Sequence, residues 1–207
     1  LYLRAGVLAD PEMILGRRGK NKLLRLQDGT VLAPGSLEGD LWDAFVDISH
    51  DDGDTWEMSE FVPVRRVLLN HQGNANTQMI HRPYDKHLLS GKGMIQPSLW
   101  EDEDGVHMFC RTTSSRIFRS DSRDGGKTWS LAYDTGLPNN NSGLDLIQTQ
   151  DGRIILVYNP RENFPGYYKG ARTPLEVAVS LDHGNTFERL LTLEDAAGNF
   201  AYPAVVV

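Results

Sequence analysis

Two arginines carry the chemistry most readily read from this chain, Arg111 in FCRTT and Arg172 in GARTPLEVAVS. A guanidinium is a planar fork of donors that matches a carboxylate, and converging forks suit a sugar acid that stays anionic at neutral pH. Taken singly, each could equally be a surface residue or the partner of a neighbouring acid. Asp145, in NSGLDLIQ, could accept a sugar hydroxyl or act as a base, or could close an Asx contact within the NNNSG turn. Glu38, in GSLEGDLWDAF, could touch a substrate or be a solvated loop carboxylate. A third group comprises His71, His81 and His87, with Arg82, Tyr84 and Lys86 around them. His81 is the candidate general acid, base or substrate contact of that group, and the histidine spacings match no helical metal motif. Asn140-Asn141-Ser142 also fits a glycosylation sequon, although a glycan there would crowd the same edge.

The elements that must position these residues are announced by a repeat. SHDDGDTW (49–56), SRDGGKTW (122–129) and SLDHGNTF (180–187) share the pattern SxDxGxT plus an aromatic, with starts 73 and 58 residues apart. Ser and Asp side chains can bond backbone N–H groups inside a tight turn, Gly supplies an unusual backbone angle, and the aromatic can pin the turn onto a neighbouring sheet. Asp51, Asp124 and Asp182 therefore read as scaffold. Calcium binding is the alternative, but the ligand-rich loop of an EF-hand is absent. Upstream of each octapeptide an Asp-Gly pair (Asp28-Gly29, Asp104-Gly105, Asp151-Gly152) lies between apolar runs, a hairpin signal.

One unit thus reads strand, Asp-Gly turn, strand, variable loop, strand, octapeptide, strand, a four-stranded antiparallel blade. In such a meander the Asp-Gly turns and the octapeptides share one edge. The longer connections, 159–171 and about 62–94, fall on the other, where function usually resides. Aligning the units places on that edge the strand-one starts Asn21, Gln96, Ser142 and Tyr202. The strand-two ends there fall near Gly35, Arg111 and Tyr158, and the strand-three starts near Trp42, Arg116 and Arg172.

The octapeptides resemble the Asp boxes of sialidases and related proteins, a β-propeller family. The resemblance implies an all-β fold of four-stranded blades, six when the propeller is complete, with three to four in this chain. Residues 1–207 are accordingly expected to be one sialidase-like propeller domain, incomplete at both ends, with AYPAVVV (201–207) opening a further blade. In sialidases one arginine ends the second strand of a blade and another opens the third strand of the next; Arg111 and Arg172 match these positions. The family's nucleophile, a tyrosine opening the following blade, is matched by Tyr202 in FAYPAVV. A phenol is a weak nucleophile unless a base takes its proton. The family's base is a glutamate, and the matching residue here is Gln96, in MIQPSLWE, whose amide cannot accept that proton. The family's third arginine and its aspartate acid/base are expected upstream of Leu1.

The stretch from Gly91 to Pro160 is similar to a bacterial and fungal branch described as predicted neuraminidases, and the likeness continues through RTPLEVAVS and FAYPAVV. It implies an exo-acting sialidase-like hydrolase that removes a terminal acidic sugar from a glycan. Related propellers include rhamnosidases and polysaccharide lyases, so those activities, or carbohydrate binding alone, are the alternatives.

Composition narrows the partners. The 207 residues are 40% hydrophobic, which suits one globular domain, and no apolar run is long enough to cross a bilayer. A net charge of -7 argues against a general nucleic-acid or membrane-surface binder without forbidding a local basic pocket, and the glycan partner is what the resemblance implies. No signal peptide opens the chain, and a secreted or periplasmic compartment is favoured over the cytoplasm. The single cysteine, Cys110, excludes an internal disulfide framework and reads as a buried apolar residue of a strand. No phosphate loop or dinucleotide fingerprint is present, so no cofactor is expected, and nothing sets the oligomeric state.

Overall fold

The computed structural model describes residues 17–19, 21–67 and 84–206. They form three antiparallel sheets side by side. In the first, β1 (Arg17–Gly19) and β2 (Leu24–Arg25) both pair with β3 (Val31–Glu38), followed by β4 (Trp42–Ser49) and β5 (Glu57–Met58). The second contains β8 (Met94–Asp102), β9 (Gly105–Thr112), β10 (Arg116–Ser122) and β11 (Tyr133–Pro138) in meander order. The third contains β12 (Asp145–Gln148), β13 (Ile154–Tyr158), β14 (Leu175–Ser180) and β15 (Glu188–Glu194), also as a meander. These are the three blades that the octapeptides mark.

The three octapeptides fold alike. In the third, Ser180 Oγ donates to Asp182 Oδ1 at 2.7 Å and accepts from Gly184 N at 2.9 Å. Asp182 accepts from Thr186 N at 2.8 Å and from Thr186 Oγ1 at 2.6 Å. Ser49, Asp51, Gly53 and Thr55 repeat this arrangement, as do Ser122, Asp124, Gly126 and Thr128. The carboxylates are thus occupied by the turn itself, as the scaffold reading expects. Hydrogen bonds from Thr55 and Ser49 hold Asp51 down at about 2. Burial works against the charge of Asp182, but the bonds from Thr186 and Ser180 outweigh it and leave that group also at about 2.

Core packing follows from the two faces of the middle blade. Successive side chains of a strand point to opposite faces. Val106, Met108 and Cys110 of β9 accordingly join Leu32, Val46, Ile48 and Trp129 in a cluster between the first and second blades. Phe109, from the other face, joins Trp100, Leu146, Leu156 and Ala178 between the second and third. Two octapeptide aromatics pin these seams: Trp129 is buried in the first, and the Phe187 ring lies 5.6 Å from that of Phe109 in the second. Cys110 is buried, as expected, and burial pushes its thiol well above the ordinary range.

Three features depart from the sequence expectation. The connection 62–94 contains two short strands, β6 (Arg65–Val67) and β7 (Leu88–Ser90), paired in parallel. This ribbon joins the two limbs of the longest excursion where it leaves and rejoins the blades. β14 begins three residues after Arg172, because Pro174 has no N–H to give a ladder. Residues 201–206 form no strand, and no ladder partner for them exists among the described residues.

Candidate functional site

Four left-handed residues stand in or just before the blade-opening segments on the functional edge. These are Asn21 (φ 71°), Gln96 (φ 58°), Asn141 (φ 58°) and Tyr202 (φ 60°), none of them glycine. In the middle blade the residue lies inside β8, where the register with β9 shifts between Ile95 and Ser98. In the first blade it falls between β1 and β2. A bulge of this kind re-aims a side chain out of the ladder, and non-glycine residues hold it only where the surroundings over-determine it. The β8 bulge is tied to the first blade, since Asn21 Nδ2 donates to the carbonyls of Gln96 at 3.1 Å and Pro97 at 2.8 Å.

Arg111, Arg172 and Tyr202 come together. Arg111 extends from the end of β9 on the face shared by His107 and Phe109, and only 8% of it is exposed. Its Nη1 donates to Tyr202 Oη at 2.6 Å, and its guanidinium carbon lies 5.5 Å from the centre of the Tyr202 ring. The Arg172 guanidinium stands 5.2 Å from the same ring. Tyr202, 39% exposed, is seated against Gly143, where a β-carbon would approach ring atom Cδ1 to 2.4 Å. The chain before it is fixed by Asn159 Nδ2, which donates to Phe200 O and Pro174 O, and by Phe200 N, which donates to Arg172 O at 2.9 Å.

Sequence reasoning placed Trp42 only as a strand start. In the fold its ring lies 5.7 Å from the Arg111 guanidinium, so Arg111 has aromatic contacts with both Trp42 and Tyr202. Its position at the head of β4, on the edge shared with the arginines, was the signal that could have found it.

Gln96 and Glu38 also meet. Gln96 Nε2 donates to Glu38 Oε1 at 3.3 Å, and Ser36 Oγ approaches the same oxygen at 3.4 Å. The Gln96 amide oxygen is buried and accepts no hydrogen bond among the described residues.

Asp145 turns inward. It is 2% exposed, and both its oxygens lie 2.6 Å from Lys22 Nζ. It also accepts from Ser98 Oγ at 3.0 Å, Leu146 N at 3.0 Å and Val205 N at 2.8 Å. Lys22, Ser98, Asp145 and Val205 belong to four successive blade-opening segments, so one carboxylate ties them together. The Asx contact within NNNSG is not among these bonds.

The loop 159–171 is stapled to the edge by asparagines. Asn141 Nδ2 donates to Tyr168 O at 2.7 Å and Asn163 Nδ2 to Thr113 O at 3.0 Å, while Asn140 Nδ2 donates to Ala171 O. Asn140 is buried and its amide nitrogen is engaged, which closes the sequon to a glycan in this fold. Among the histidines, His87 packs away from the site, with Nδ1 3.1 Å from Ala132 O and its ring edge-on to Tyr133. His71 and His81 lie outside the described residues.

Comparison with known proteins agrees with this architecture. A Dyadobacter fermentans protein of unknown function matches 88% of this chain over 43% of its own length, with 18% identity and a TM-score of 0.60. A variant of NanB sialidase from Streptococcus pneumoniae matches 89% of this chain over 25% of its own, with 18% identity and a TM-score of 0.60. Trypanosoma rangeli sialidase, solved as a covalent intermediate with 2,3-difluorosialic acid, matches 88% over 26%, with 14% identity and a TM-score of 0.59. The chain therefore spans between a quarter and under half the length of these proteins. No curated protein sequence matches it. Residues 4–207 match the BNR repeat-like domain, and with its three Asp-box blades the chain belongs to that family, on the β-propeller fold of the sialidases.

Proposed function

We propose that this chain carries part of the substrate site of an exo-acting, sialidase-like glycoside hydrolase that removes a terminal acidic sugar from a glycan. The observation that supports it is the convergence of two guanidinium groups on one phenol, with Arg111 and Arg172 both standing against Tyr202. In this reading the arginines take the sugar carboxylate, and Tyr202 lies beneath the anomeric carbon as nucleophile. Tyrosine nucleophiles are a recognised exception to the two-carboxylate scheme. A transition state with oxocarbenium character is stabilised by the negative charge that builds on such an oxygen. Asp145, already filled by Lys22 and three further donors, holds the inner strands together in place of a sugar contact.

Gln96 favours a second reading, because an amide cannot accept the proton of a nucleophile. A lyase or rhamnosidase-type enzyme on uronic-acid glycans, or a propeller that binds carbohydrate without turnover, is consistent with it. The test uses the intact protein with sialylated and uronic-acid-capped glycans and identifies released sugars by mass. Free sialic acid supports hydrolysis, an unsaturated uronic product moves the assignment to a lyase, and saturable binding with no product leaves a binding module. Within the first reading, Arg172→Ala weakens substrate binding by about 10- to 100-fold, the scale of a charge-assisted bond; unchanged kinetics would remove Arg172 from the site.

A further inference from the structure

We propose that Asp145 is a positioning residue of the site, setting where the Tyr202 phenol stands by holding the backbone that follows it. This rests on the reading of Tyr202 as nucleophile. Residues 201–206 have no ladder partner among the described residues, and the bonds described around them go to side chains of neighbouring segments. Two of these bonds bracket Tyr202. Before it, Asn159 Nδ2 donates to Phe200 O at 2.8 Å; after it, Val205 N donates to Asp145 Oδ2, also at 2.8 Å. The ring itself rests on Gly143, where a β-carbon would come within 2.4 Å of Cδ1. Gly143 and Asp145 stand two residues apart at the head of β12, so one short segment supplies both the seat beneath the ring and the anchor beyond it.

The rest of the carboxylate's shell fixes that anchor. Asp145 Oδ1 accepts from Ser98 Oγ and Leu146 N, each at 3.0 Å, and Lys22 Nζ lies 2.6 Å from both oxygens. Lys22 Nζ also donates to Leu146 O at 3.0 Å, and Ser98 Oγ accepts from Leu146 N at 3.1 Å. With donors on both oxygens, the carboxylate cannot turn without breaking several bonds at once. A buried ion pair adds little net stability over well-packed apolar side chains, because desolvation offsets its attraction. What the pair adds here is direction, since Val205 N must lie where Oδ2 can accept from it. The same shell registers two other left-handed positions: Lys22 directly follows Asn21, and Ser98 stands two residues after Gln96. Asn21, Gln96 and Tyr202 are thus referenced to one carboxylate on the third blade.

This division of labour has a kinetic signature. Arg111 and Arg172 meet the Tyr202 side chain, and neither is bonded to Asp145 by the contacts described. A reacting group displaced by about 1 Å loses on the order of 100-fold in rate. Loss of the anchor therefore falls on kcat, while the arginines continue to take the sugar carboxylate and KM changes little.

The test removes the acceptor while keeping the packing. On the intact protein, with an aryl sialoside as substrate and activity expressed per folded molecule, the double variant Lys22→Met, Asp145→Leu replaces the ion pair by apolar side chains. It keeps or raises the unfolding midpoint, yet lowers kcat about 100-fold with KM within about threefold of wild type. If Asp145 did no more than hold the strands together, that packing would suffice and kcat would survive. Val205→Pro is the second variant: it deletes the N–H that reaches Oδ2, leaves the carboxylate with Lys22, Ser98 and Leu146, and lowers kcat about 10- to 100-fold. Wild-type kcat in either variant, or a loss that falls on KM instead, overturns the proposal. Tyr202→Phe separates the two levels. If it abolishes turnover while both variants turn over as wild type does, only the positioning role fails. If Tyr202→Phe turns over normally, or wild type releases no sugar, the reading of Tyr202 fails and the positioning role falls with it.

Discussion

Asp121, on the Asp-box side of the second blade, offers the sharpest test of how the blades are locked. It accepts from His107 Nδ1 at 2.6 Å, Arg119 Nε at 2.7 Å and Tyr133 Oη at 3.0 Å, with 28% of its side chain exposed. The same network crosses to the third blade, where Arg119 donates to His183 O and His183 Nδ1 meets Asp102 Oδ2. Burial works against the charge of Asp121, but the hydrogen bonds from His107 and Arg119 and the charge of Arg119 outweigh it, taking the group from 3.8 to about 2. Each tenfold change in proton affinity is worth about 1.36 kcal/mol, so the fold gains roughly 2.4 kcal/mol from this carboxylate at neutral pH. The folded value is depressed, so the contribution is complete above about pH 5 and disappears as pH falls toward 2, with about half left at pH 3. Asp121→Asn should therefore destabilise by about 2 kcal/mol at pH 7 and by roughly 1 kcal/mol less at pH 3. Urea unfolding of both proteins across that range reads the difference directly. A gap between the two curves that stays constant from pH 7 to pH 3 would refute the electrostatic argument and leave only a pH-independent packing effect.

Two further changes probe the turns. Ser180→Ala removes the acceptor of the buried Gly184 N–H and the donor to Asp182, and should cost about 1–3 kcal/mol in thermal unfolding; a loss below a few tenths would mean that Asp182 holds the turn without it. Gly184→Ala and Gly152→Ala share a positive φ (77° and 83°), but a β-carbon at 184 meets Trp100 Cζ2 at 2.8 Å whereas 152 opens onto empty space. Gly152→Ala should cost about 1 kcal/mol for backbone strain alone, and Gly184→Ala a further 1–3 kcal/mol, roughly, because the buried Trp100 cannot yield. Equal losses in parallel urea titrations would show that the contact is not what holds Gly at 184.

What the sequence made legible is what is settled over short distances. The Asp-box turns close within eight residues, and their Ser, Asp, Gly and Thr find one another inside that span, so the pattern could be read off as three blades. β4 and β10 begin at the expected Trp42 and Arg116. The arginine pair was legible for a different reason, since the end of a second strand and the start of a third share an edge. Lys22 and Asp145 stand 123 residues apart, and neither carries a local sign of its partner. Asp145 could therefore be read as a sugar acceptor, a base or an Asx contact, although its oxygens are consumed by other blades. Trp42 could be placed on the arginines' edge from its strand position, but its contact with Arg111 carries no local sign. The left-handed residues of the inner strands were hidden too, because Gln, Tyr and Asn do not announce a positive φ in the way that glycine does.

Those left-handed positions separate scaffold from chemistry. Asn21, Gln96, Asn141 and Tyr202 share one backbone bend on side chains as unlike as an amide and a phenol. The same backbone bend thus carries an amide at three of these positions and a phenol at the fourth, so the bend itself does not dictate one residue type.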